Sequence, residues 1–96
     1  MLYFVYVLAS RPYGAIYIGA TRDLRRRVEQ HRARAVPGHT RRYQIETLVY
    51  FETHDTLEAA LVREKRLKRW KREWKDQLIG ANNPGWRDLS ADIPFA

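Results

Sequence analysis

The chain reads as an α+β domain, a small three-stranded antiparallel sheet flanked by helices in the order β-β-α-β-α-α. Three observations predict it. Leu2 to Leu8 is almost wholly apolar, aromatic and β-branched, and a second run of that kind follows at Ala15 to Gly19. A third stands at Ile45 to Phe51. Helical periodicity, introduced each time by a capping residue, follows the second and third runs. Strands that are neighbours in sequence, with helices after them, imply a small antiparallel sheet covered by helices.

The elements follow in order. Arg11-Pro12-Tyr13-Gly14 is a turn signal, so the first two strands form a hairpin. Thr21 is positioned to cap a helix from Arg22 to Ala35, with Asp23 in its first turn and Pro37-Gly38 as its stop. His39 to Gln44 is polar and basic and reads as loop. After the third strand, Thr56 caps a helix whose apolar residues are Leu57, Ala60, Leu61 and Leu67, with Glu58 in the first turn. The stripe shifts near Trp70, which predicts a break at Lys71. A short helix then runs to Ile79, with Trp74 and Leu78 as its core contacts. Asn82-Asn83-Pro84-Gly85-Trp86 opens a turn-rich tail. We expect one domain over residues 1–81, with residues 82–96 packed on it or extending from it.

Composition narrows the function. The chain has 96 residues, 45% of them hydrophobic, which suits a single core. It has no cysteine, which excludes disulfides and thiolate zinc sites and fits a reducing compartment. No apolar run approaches the roughly 18 residues that span a bilayer. Met1 to Leu8 lacks a basic leader and a cleavage site, so it reads as a strand and the expected location is cytoplasmic. A formal net charge of +7 on so small a body points to a polyanionic partner, above all nucleic acid.

Several polar residues fall on faces that should be apolar. In the first helix Leu24, Val28 and Ala35 share one side, and Arg27 and His31 fall on it, whereas Arg25 and Arg26 point elsewhere. An unpaired cation aimed at a core is costly, so Arg27 needs a partner, a ligand or a route past the apolar surface to solvent. For His31, a satisfied structural histidine and a functional one are equally good readings. Glu64 lies within the apolar stripe of the second helix. It is either the carboxylate of a structural ion pair, with Arg27 as one candidate, or a ligand to a hard cation. Tyr6 and Tyr17 stand on the two arms of the hairpin, where packing is the ordinary role of a tyrosine. Gly19 marks either space for a substrate backbone or a bulge. Arg63 to Arg72 is densely cationic and suits either solvent or a phosphate backbone. Of Trp70, Trp74 and Trp86, at least two belong in the core, although each has a face on which a base can stack.

These residues resemble the GIY-YIG nuclease family along nearly the whole chain. Tyr17-Ile18-Gly19 is that family's second tripeptide, and Phe4-Val5-Tyr6 stands where the first reads Gly-Ile-Tyr, keeping its tyrosine. The passage from Tyr17 to Arg27 looks like the family's strand-to-helix connection, with its catalytic arginine at Arg27 and a histidine one turn later at His31. Glu58 to Glu64 is similar to the segment that ends in the metal-binding glutamate. Asn83-Pro84 with Trp86, Asp88 and Leu89 resembles the tail of small stand-alone bacterial members, where an asparagine sometimes joins the site. Larger relatives, an excinuclease component and phage homing endonucleases among them, carry additional DNA-binding domains.

The resemblance implies a divalent-metal-dependent endonuclease that hydrolyses phosphodiester bonds in DNA, in repair or recombination. Glu64 would hold one Mg²⁺ or Mn²⁺, and Arg27 would stabilise charge on the phosphoryl group. Tyr17 would orient or deprotonate water with Tyr6 as its partner, an assignment that could be reversed, and His31 would complete the catalytic set. Nucleic acid, DNA ahead of RNA, would meet Arg25, Arg41, Arg42, Lys65, Lys68 and Asn83, and a protein partner is a possible source of specificity. The rival reading is a nucleic-acid-binding module with a weak or inactive site.

Overall fold

The computed structural model describes residues 2–33 and 43–94. Strands β1 (Tyr3–Ala9) and β2 (Ile16–Thr21) form the hairpin, followed by helix α1 (Leu24–Arg32), strand β3 (Thr47–His54), and helices α2 (Leu57–Arg69) and α3 (Arg72–Asn82). A short 3-10 turn at Ser90–Asp92 follows. The sheet is antiparallel, in the order β2-β1-β3.

The central place of β1 explains its composition. A strand with a neighbour on each edge and helices over each face has no solvent side, so polar alternation would be penalised. Phe4 to Ala9 are all buried. Phe4, Tyr6 and Leu8 point toward α1 and pack with Leu24, Val28, Ile45, Leu48 and Ile93. Val5, Val7 and Ala9 point the other way, onto Ile18, Val49, Ala60, Leu67, Ile79 and Trp86. Each large side chain so buried contributes about 1.5–3 kcal/mol relative to exposure. A register shift between Val7 and Leu8 lets both Val49 and Tyr50 join the α2 side.

Some boundaries differ from expectation. Thr21 belongs to β2 and accepts a hydrogen bond from Asp23 N–H, while Asp23 is the cap, its carboxylate accepting from Arg26 N–H at 3.1 Å. Aspartate serves here because its acceptor reaches the third turn residue and its charge meets the positive end of the helix. The helix therefore opens at Leu24 rather than Arg22 and closes at Arg32. Residues 34–42, with the expected stop at Pro37-Gly38 and most of the basic loop, lie outside the described residues. Strand β3 begins at Thr47 and runs on to His54, because its partner β1 extends to Tyr3 and pairs Tyr3 with His54.

Thr56 caps α2 as expected, accepting from Ala59 N–H at 3.1 Å, and Trp70 and Lys71 form the break. The inward face of α2, however, is Ala60 and Leu67; Leu57 and Leu61 are largely exposed. Helix α3 runs three residues past Ile79, and Ile79, not Trp74, is its buried anchor, with Leu78 packed beside the core. Trp74 stands 49% exposed. Trp86 is buried and Trp70 leans on the same core, so two of the three tryptophans are packing residues.

The tail is held by specific bonds. Leu89 N–H donates to Leu48 C=O at 2.8 Å, and Arg32 reaches Asp88 at 2.9 Å and Ser90 at 2.8 Å. Asn83 is buried, its amide N–H groups donating to Val49 C=O and Arg87 C=O, its oxygen accepting from Arg87 N–H. Expected to contact nucleic acid, Asn83 instead has its hydrogen-bonding capacity consumed inside the fold.

Candidate active site

The site forms along β2, the edge strand beside β1, where α1 crosses the sheet. Tyr6 and Gly19 are direct partners across the hairpin. A Cβ on residue 19 would stand 2.5 Å from Tyr6 Oη and 2.7 Å from its Cζ. The glycine is therefore neither a bulge nor substrate space: it is the floor across which the buried Tyr6 ring lies.

Alternation along β2 brings Tyr17 to the same face as Gly19. Its ring centroid is 6.2 Å from that of Tyr6 and 5.1 Å from that of His31. His31, one helical turn after Arg27, lies 6.5 Å from Tyr6. Periodicity places Arg27 and His31 on the inward face of α1, and they lie there, Arg27 half-buried and His31 buried.

Four polar atoms in this group are buried without a hydrogen-bond partner among the described residues: Tyr6 Oη, Arg27 Nε and both ring nitrogens of His31. Burial without a bond ordinarily costs about 1–3 kcal/mol per group, so such a concentration singles this cluster out as the candidate site. Arg27 Nη1 donates to Gln30 Oε1 only at 3.5 Å, the limit of a useful bond. Sequence reasoning does not single out Gln30, since nothing in its position announces this contact.

The electrostatics follow from these positions. Burial pushes the Tyr6 phenol above its ordinary value; the Arg27 guanidinium opposes that, and Tyr17 and the Glu64 charge add to it. Arg27 is held more firmly protonated, chiefly by the Tyr6 hydroxyl beside it, against burial. The two groups are electrostatic neighbours, although no N–H of Arg27 aligns on Tyr6 Oη. Burial, and then repulsion from Arg27, lowers His31, which keeps its imidazole neutral near pH 7.

Glu64 is 16% exposed and pairs with Lys68 Nζ at 3.2 Å, not with Arg27. A pair of this kind, with an exposed lysine on the same helix, is weak and exchangeable. Among the described residues no three histidine, cysteine or acidic side chains gather as a metal cage. Lys65 is exposed on α2, and Arg25 is exposed on α1, where its guanidinium donates to Ile93 C=O at 3.4 Å. Arg41 and Arg42 lie outside the described residues.

A second polar network is not legible in the sequence. Arg63 donates from Nε to both Glu52 carboxylate oxygens at 3.0 and 3.2 Å, and Tyr50 Oη donates to Glu52 at 2.6 Å. His54 Nε2 lies 2.6 Å from the same carboxylate. These bonds hold Glu52 below the usual carboxylate range against the opposing effect of burial. The network ties α2 to β3, which removes Arg63 from the cations available to a ligand.

A hairpin with paired tyrosines, a helix presenting an inward arginine, and a second helix carrying a half-buried glutamate define a catalytic domain of the GIY-YIG type. Residues 2–77 match the family model described as the GIY-YIG catalytic domain, and the chain belongs to that nuclease family. Relatives agree. It is 44% identical over 64 residues to a UPF0213 protein of Haloquadratum walsbyi, a match covering 67% of this chain and 72% of that one. It is 35% identical over 79 residues to a UPF0213 protein of Streptococcus pneumoniae, covering 82% and 79%. The solution NMR structure of a UPF0213 protein from Bacillus halodurans superposes with a TM-score of 0.54 at 29% identity, covering 86% of this chain and 87% of that one. No helix among the described residues is long and apolar enough to cross a membrane.

Proposed function

We propose that this protein is a divalent-metal-dependent endonuclease that hydrolyses phosphodiester bonds in DNA. The observation that carries the reading is the group of unpartnered polar atoms on Tyr6, Arg27 and His31, gathered around Tyr17. Elsewhere among the described residues one such atom occurs, Trp86 Nε1 on a packing residue, so it is the gathering of four in one cluster that supports a site.

Arg27 is permanently cationic and half-buried beside Tyr6 and Tyr17, so its guanidinium would stabilise negative charge growing on a phosphoryl group. Tyr6 is sealed in the core with its phenol held protonated, which suits a positioning partner rather than a base. Tyr17 is more accessible and touches His31, so it is the phenol that can meet an attacking water. The neutral His31 has a lone pair that can take the hydroxyl proton of Tyr17 as Tyr17 receives one from the attacking water.

The donor set fits Mg²⁺ or Mn²⁺. One carboxylate with an exchangeable lysine partner leaves most of the coordination sphere to water and phosphate, the usual arrangement for Mg²⁺. Glu64 would hold the ion, which when bound supplies charge neutralisation at the phosphate and leaving oxygens.

The test is cleavage of labelled duplex, branched and single-stranded DNA in Mg²⁺, Mn²⁺ or EDTA at low salt. Wild type should cut only with metal, and Glu64→Ala should lose cutting while still binding DNA. Tyr17→Phe should lose it too. Metal-dependent cleavage that survives Glu64→Ala would sink the assignment.

A further inference from the structure

Two grooves on the outer surface meet at Trp70. One, of about 410 Å³, is lined by Trp70, Trp74, Gln77 and Leu78. The other is lined by Val62, Lys65, Arg66, Arg69 and Trp70. Together they make a strip along the outward face of α2 and onto α3. Helical geometry turns Glu64 to a different flank of α2, so the strip is separate from the residues proposed for chemistry.

The strip is built rather than loose. Trp70 is fixed by the core on one side and by the Arg63 guanidinium 5.2 Å from its ring centroid. Trp74 stands nearly perpendicular to it, at 83° with centroids 6.2 Å apart. Half of Trp74 is open to solvent, and the packing of α3 rests on Ile79 instead. Lys71 Nζ stands 5.6 Å from the Trp74 ring centroid, adding a cation beside the ring, and half of the ring remains open to a further contact.

Charge decides what that contact is. From Arg63 to Lys75 the sequence carries eight cations and two anions. Arg63, Lys68 and Arg72 are engaged with carboxylates, but Lys65, Arg66 and Arg69 have no ion-pair partner among the described residues. Like charges three and four residues apart on one helix repel, so this cluster awaits an anion. A basic rail beside an open tryptophan is how proteins hold an unpaired strand: phosphates follow the cations and bases stack on the ring. In a duplex the base faces are already stacked on one another, leaving the ring nothing to grip.

We propose that this strip binds an unpaired DNA strand, with a base stacked on Trp74 and phosphates on Lys65, Arg66 and Arg69. The inference deepens the nuclease reading, on which it rests for its meaning, by naming the substrate as DNA that carries an unpaired strand beside the cleaved one.

The experiment is fluorescence-anisotropy titration of the full chain in EDTA, with labelled oligothymidylate and a blunt duplex of equal length. Trp74→Ala should weaken oligothymidylate binding by about 5- to 100-fold and duplex binding far less, and Trp74→Phe should restore most of it. Replacing Lys65, Arg66 and Arg69 together by Gln should flatten the slope of log Kd against log salt by about 2 for the single strand. Equal oligothymidylate affinity for Trp74→Ala and wild type would overturn the proposal. So would equal loss on duplex, or preference for anionic vesicles over the oligonucleotide. Because no metal is present, the outcome is independent of cleavage. Trp74-dependent binding by a protein that never cuts would fault only the nuclease reading. Cutting with Trp74-independent binding would fault only this one.

Discussion

Gly19→Ala tests the packing on which the site rests. The added methyl would meet Tyr6 Oη at 2.5 Å, Cζ at 2.7 Å and Cε1 at 3.0 Å. The phenol cannot retreat, because Tyr6 is completely buried between the sheet and α1. Overpacking of this kind costs about 1–3 kcal/mol. Contacts as short as 2.5 Å against a ring that cannot move put the cost near the upper end, and alanine's lower backbone entropy in the unfolded chain returns roughly 0.5–1 kcal/mol, leaving a net loss of about 2 kcal/mol. For a domain of this size each kcal/mol lowers Tm by about 4–8 °C. Tyr6→Phe removes the atom in closest conflict and, since Tyr6 Oη is buried with no hydrogen-bond partner among the described residues, should by itself be neutral or stabilising. Urea unfolding of wild type, both single variants and the double variant closes the cycle. We expect the double variant to recover part of the loss, with a coupling of at least about 0.5 kcal/mol. A Gly19→Ala protein as stable as wild type, or strict additivity, would refute the account of Gly19 as the floor for Tyr6.

Two further outcomes follow from the same structure. His31 binds its proton less readily in the folded protein than in the unfolded chain, so folding is opposed once protonation begins. Stability should therefore fall as pH drops below the ordinary histidine value of about 6.5 and level off beneath the lowered folded value. His31→Gln should remove that part of the slope in urea midpoints measured from about pH 8 to pH 5, a range that brackets the histidine titration, and an unchanged slope would contradict it. Asn83→Ala should cost about 2–3 kcal/mol, because it strands Val49 C=O together with the N–H and C=O of Arg87. DNA affinity of the folded variant should match wild type; a selective loss of affinity at unchanged Tm would return Asn83 to the interface.

The network around Glu52 shows why local reading stops where it does. Arg63 stands in a cationic block, and nothing near it distinguishes it from Arg66 or Arg69. Its partner lies eleven residues earlier on another element, and only the crossing of α2 over β3 brings them to 3.0 Å. Leu57 and Leu61 illustrate the converse. Their spacing marks an apolar stripe, but the sheet beneath is narrow, so the covered part of α2 is the line through Ala60 and Leu67. Hydrophobicity alone assigns Trp74 inward, and the angle of α3 turns it out.

The sequence by itself determined the order of elements, the burial of β1 on both faces and the presence of Arg27 and His31 on the inner side of α1. These depend on alternation, helical periodicity and capping chemistry, which act between residues close along the chain. It also carried the tripeptides, arginine and glutamate that mark the family. Tertiary structure alone decided that Tyr6 lies across Gly19, that Glu64 pairs with Lys68, that Asn83 is sealed inside, and which tryptophan stays open. Those outcomes turn on ångström-scale distances between elements far apart in sequence. The physical reason is that packing is a property of surfaces in contact, and no single element contains the surface it will meet.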